Sequence, residues 1–92
     1  MIRNIRHKGL LRFFADSDIR GINAKHAARI ERILDRLDAA TKPEDMNIPG
    51  YGFHGLQGFN PKRYAVSVSG NWRITFAFDG DEAVDVDLED YH

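Results

Sequence analysis

Four groups in this chain suit chemistry at a phosphate: the guanidinium of Arg73, the imidazoles of His54 and His92, and the phenol of Tyr91. A guanidinium stays charged at every working pH and presents a fork that matches two phosphate oxygens, whereas imidazoles exchange protons near neutrality. The chain has no cysteine, so it offers no thiolate nucleophile, no Cys-based metal site and no disulfide framework. Ser67 and Ser69 stand in or beside a strand pattern without a G-x-S-x-G turn, which argues against a serine hydrolase. Neither G-x-G-x-x-G nor G-x-x-x-x-G-K-[ST] occurs, so the common nucleotide-binding loops are excluded. The histidines at 7, 26, 54 and 92 lack the i, i+4 pairing of metal-binding helices, and neither a metal nor a cofactor is expected.

The surroundings of each group decide how much weight it carries. His54 falls in a stretch, residues 43–61, with three prolines and four glycines, where Gly55 and Gly58 would let the backbone come close to a ligand. So long a loop in a small domain is either disordered or functional, and Tyr51, Phe53 and Phe59 favour a packed, functional one. His26 lies on the rim of an apolar helical stripe, where a structural role is the simpler reading, and His7 carries no specific signal. His92, in last place, would ordinarily be dismissed as a frayed end. Lys25, Arg29, Arg32 and Arg36 follow one another at spacings of four, three and four, which sets them on one narrow helical stripe. Such a stripe is usually a solvated face; it would equally dock on an RNA backbone and add salt sensitivity with each phosphate neutralised.

The elements that must position these groups are legible from periodicity. Residues 2–6 read as a short strand, rich in β-branched side chains. Leu10, Leu11, Phe13 and Phe14 predict an amphipathic helix ending near residues 16–18. After Gly21, Asn23 is placed to cap a helix over about residues 24–40, with Ile30, Ile33, Leu34 and Leu37 on its apolar stripe and Pro43 as its stop. From Arg63 the period becomes two. Tyr64, Val66 and Val68, then Trp72, Ile74, Phe76 and Phe78 past the Gly70-Asn71 turn, then Val84, Val86 and Leu88 past Asp79-Gly80-Asp81, predict an antiparallel meander. The expected fold is α+β in the order β-α-α-β-β-β, with the antiparallel sheet packed on two N-terminal helices. Alternation assigns Arg63, Ser67, Arg73, Thr75, Asp85 and Asp87 to the polar face, which is either a site or merely a solvated surface.

With 92 residues, 42% of them hydrophobic and 29% charged, the chain predicts one globular domain over 1–92. The net charge of −1 conceals an asymmetry, +5 over residues 1–36 and −7 over residues 74–92, so a cationic face for a phosphate backbone remains available. No apolar run long enough for a leader or a membrane span occurs, and a cytoplasmic protein with no membrane partner is expected.

Three motifs, H-x-L-x-G at His54 to Gly58, N-W-R-I-x-F at Asn71 to Phe76 and D-Y-H at Asp90 to His92, together resemble the HigB toxins of the RelE/ParE toxin–antitoxin superfamily. The resemblance spans essentially the whole chain. It implies a metal-independent endoribonuclease that cuts mRNA in the decoding site of the 70S ribosome, inhibits translation, and is held inactive by a helix-turn-helix, HigA-like antitoxin. In that setting Arg73 would hold the scissile phosphate, His54 and His92 would act as base and acid in an order left open, and Tyr91 would stack on a base or orient the phosphate. Asp90 would orient a histidine or simply cap its strand. Many members carry Lys where this chain has Gln57, and Lys62 or Arg63 would replace that phosphate contact. A ParE-like gyrase inhibitor and a non-catalytic interaction module are the alternatives, and His54 with Tyr91-His92 argues against the former.

Overall fold

The computed structural model describes residues 1–90. Helix α1, Lys8–Asp16, starts at His7, whose Nδ1 accepts the Leu10 N–H at 3.0 Å, and it buries Leu10 and Phe13. It ends at Ser17, in the left-handed region with φ of 57°. Two single 3₁₀ turns follow, Ile19–Gly21 and Ala24–His26, capped by the side chains of Asp18 and Asn23. Helix α2, Ala27–Ala39, then buries Ile30, Ile33, Leu34 and Leu37, the expected stripe. The expected helix began near residue 24; Asn23 does cap, but what it caps is the tighter turn, by accepting the Lys25 N–H at 2.9 Å.

Gly9 and Gly21 let α1 and the first 3₁₀ turn touch backbone to backbone. A Cβ on Gly9 would sit 2.2 Å from the Gly21 carbonyl oxygen, and one on Gly21 would sit 2.4 Å from the Gly9 Cα. Neither partner is a flexible side chain that can swing aside. Gly21→Ala is therefore expected to destabilise the fold by about 3 kcal/mol, the scale of core overpacking, read as a lower urea midpoint at unchanged slope.

The sheet has four antiparallel strands in the order β1-β2-β3-β4: His54–Leu56, Arg63–Ser69, Trp72–Asp79 and Glu82–Asp90. The three-strand meander is as expected, but β1 comes from the glycine-rich segment instead of from the N-terminus. Pro43–Met46 in the same segment forms a 3₁₀ turn that buries Met46. Residues 2–6 run parallel to β4 and make only isolated bridges, Ile2 with Ala83 and Ile5 with Val86. A bulge in β4 interrupts that ladder. Asp85 takes φ of 52°, and the register with β3 shifts between Thr75 and Ala77. The Asn4 side chain fills the gap, accepting the Asp85 N–H at 3.0 Å and donating to the Asp85 carboxylate at 2.9 Å. That donation is the main cause holding the Asp85 carboxyl below its ordinary range, so the link persists at neutral pH and is lost only as pH falls through the lowered value.

The bulge also corrects the parity of β4. Ala83 belongs to the core cluster with Val86 and Leu88, whereas Val84 sits opposite Ala77 on the other face. The helices pack on the face that carries Val66, Val68, Ile74 and Phe76, with Phe53, Tyr64 and Phe76 stacked in turn and Phe78 edge-on to Phe76, at centroid distances of 5.6 to 6.0 Å. Trp72, expected in that core, is 36% exposed at the start of β3.

Candidate active site

The register sets the outer face of the sheet in rows. His54, Ala65, Thr75 and Asp87 form one row across the four strands, and Ser67, Arg73 and Glu89 form the next. His54 and Arg73 therefore share a face, two strands and one row apart, with small Ser67 between them. They line one cavity of about 520 Å³, together with Gln57, Phe59, Asn71 and Trp72. Loops at both ends of β2 complete its rim.

Alternation explains why His54 points outward. Phe53, one residue earlier, stacks on Tyr64 on the helix side of the sheet, so the next side chain takes the opposite face. Its ring is then fixed from behind: Nδ1 lies 2.9 Å from the Gly52 carbonyl oxygen. A carbonyl only accepts, so Nδ1 carries the proton and Nε2 is the basic nitrogen of the neutral ring. Gly52 has φ of 59°, and its carbonyl turns back toward the ring from a conformation few other residues adopt.

The polar face is less solvated than alternation implies. Thr75 is fully buried and Arg63 is 6% exposed. The Arg63 guanidinium donates to Thr75 Oγ1 at 2.9 Å and to the Asp85 carbonyl at 2.8 Å, while Thr75 donates to Glu89. Burial is the main pull on Arg63 and lowers its pKa; Arg6 lowers it further, and Glu89, Asp85 and Asp87 oppose the shift. This guanidinium clamps β2, β3 and the bulge of β4 together. Arg63→Ala should cost about 2 kcal/mol of stability by leaving the Asp85 carbonyl unsatisfied, while activity per folded molecule changes little; chemical denaturation beside an activity assay below the melt separates the two.

The other expected RNA contacts divide in the same way. Arg29 donates to the carbonyls of Gly50 and Ser67 at 2.7 to 3.1 Å and lies over the Tyr51 ring at 5.2 Å, which ties α2 to β2. Lys25, Arg32 and Arg36 are exposed. Lys62 lies over the Tyr64 ring at 5.8 Å, against the edge at Gly55, and so belongs to the helix side of the sheet. Asp90 ends β4 opposite Trp72, at the cavity's end of the sheet. Tyr91 and His92 lie outside the described residues. Among those described, no group of three His, Asp or Glu side chains is placed to hold a metal, and no helix is long and apolar enough to cross a membrane.

Phe59, expected in a packed, functional loop, is 54% exposed on the rim of this cavity, and sequence reading missed Trp72 as its wall. The available signal was position: Trp72 directly follows the Gly70-Asn71 turn, at the very start of its strand. The family model of the RelE-like HigB toxins of type II toxin–antitoxin systems matches residues 3–92. The chain is also 36% identical over 92 residues to the endoribonuclease HigB of Proteus vulgaris, with both chains covered in full.

Proposed function

This chain belongs to the HigB-like toxins, the RelE-like toxins of type II toxin–antitoxin systems, and we propose that it inhibits translation by cutting mRNA in the decoding site of the 70S ribosome. It is an endoribonuclease, and as a type II toxin it has an antitoxin as partner. That partner is a helix-turn-helix, HigA-like protein, and both act in the cytoplasm. The observation that carries this reading is the meeting of His54 and Arg73, from separate strands, in one open cavity with exposed aromatic rings.

His54 Nε2 takes the proton of the 2′-hydroxyl, whose oxygen attacks the adjacent phosphorus while the bond to the 5′-oxygen breaks. His92 returns a proton to that leaving oxygen. The products are a 2′,3′-cyclic phosphate and a 5′-hydroxyl. Arg73 meets the extra negative charge on the phosphoryl oxygens as the phosphorane forms, without needing a proton of its own. Tyr91 stacks on the base beside the cut and Asp90 orients His92. Exposed Lys25, Arg32 and Arg36 supply a cationic stripe for RNA backbone.

Primer extension on mRNA after brief expression tests the reading, beside the same assay on purified mRNA with and without 70S ribosomes. Cuts within codons that require ribosomes are expected. Growth arrest with intact mRNA and blocked gyrase would overturn it in favour of the gyrase inhibitor.

A further inference from the structure

A second cavity, of about 290 Å³, shares Trp72 as a wall with the first. Its polar lining comes from His7, just before α1, and from Arg20, Asn23 and His26, three residues apart in the segment that links the helices. Three of the four, His7, Asn23 and Arg20, have no acceptor left to offer. His7 Nδ1 accepts the Leu10 N–H at 3.0 Å, so its ring proton sits on Nε2. Asn23 Oδ1 accepts the Lys25 N–H at 2.9 Å, which leaves the amide NH₂ as the group it can offer. Arg20 has only donors; Asp18 holds its Nε at 2.9 Å and one Nη2 hydrogen at 2.7 Å, which fixes the guanidinium plane and leaves Nη1 for a ligand. His26 makes no side-chain bond to the helix it precedes.

A cavity lined by a guanidinium and by His7 and Asn23, whose acceptors cap backbone and whose N–H groups are left to donate, selects an anion. Because it adjoins the first cavity through one aromatic wall, we propose that it binds the phosphodiester next to the scissile one on the same RNA strand, with Trp72 stacked on the base between them. The assignment rests on the RNA-cleaving reading of the first cavity. It gives the toxin a grip on two consecutive phosphates from two separate parts of the fold, the sheet and the segment that links the helices.

Trp72 is the chain's single tryptophan, so its fluorescence reports directly on this wall. The probes are a 2′-O-methylated dinucleotide and a 2′-O-methylated tetranucleotide, uncleavable because the attacking hydroxyl is blocked. The tetranucleotide should quench Trp72 and bind the wild-type protein at least about tenfold more tightly than the dinucleotide. Arg20→Gln combined with His26→Gln should weaken the tetranucleotide about tenfold and lower the slope of its salt dependence by about one, leaving the dinucleotide unchanged. Arg20→Gln alone, at a side chain 87% exposed, repeats the test without burdening the fold. No quenching by the tetranucleotide, an equal loss for both probes, or no loss for either would overturn the proposal. Ribosomal cleavage by the wild-type protein, measured in parallel, separates the two readings: intact cleavage with a negative length test removes only this second site, whereas absent cleavage removes the RNA reading of both cavities.

Discussion

His54→Ala should slow mRNA cleavage on programmed ribosomes by about 10²- to 10⁴-fold, the range that a positioned proton acceptor contributes. The ring is exposed and, among the described residues, is held by the Gly52 carbonyl, so the thermal melt should barely move. His54→Gln sharpens the test. A glutamine amide can replace the donation to Gly52 but cannot take up a proton at neutral pH, so the variant should stay slow and its rate should lose the acidic limb of the pH profile. Single-turnover rates across about pH 5 to 8 would show this; a His54→Gln protein that kept the wild-type rate and profile would remove His54 from proton transfer.

Arg73→Ala should lower the maximal rate by about 10²- to 10³-fold, as loss of one preorganised charge-stabilising donor does. Arg73→Lys should recover only part of it, because an ammonium is a point charge and cannot hold two phosphoryl oxygens in one plane. The loss should fall on the chemical step more than on the toxin concentration at half-maximal rate, since the added charge appears only as the phosphorane forms. Growth arrest and mRNA cleavage undiminished in Arg73→Ala would exclude the guanidinium from that role.

The two predictions rest on groups that are not equally legible. Arg73 stands in a strand of clear period two, so its face follows from the pattern. His54 lies among glycines and prolines that read as loop, because β1 is only three residues long and its pairing partner, Arg63–Ala65, lies in another strand. The N-terminal strand fails for a related reason. Its residues are suited to a ladder, but the partner strand carries a bulge at Asp85, between the two bridged residues Ala83 and Val86, which breaks the pairing into isolated bridges. Arg63 and Arg29 show the limit most clearly: a charged side chain announces its charge and not its partner, and both turned out to be bound to backbone carbonyls within the protein.

What this chain's residues settle unaided is local and periodic. Helix stripes, hairpin turns and the types of group able to work on a phosphodiester all depend on neighbours a few positions away, and the three short motifs place the chain among HigB-like toxins. Only the folded molecule decides which distant side chains meet. The strand register joins His54 to Arg73, the contact of two glycines brings the Arg20 turn against α1, and a single tryptophan joins the two cavities. Each of these depends on packing between segments far apart along the chain, whose pairing no single-segment pattern encodes.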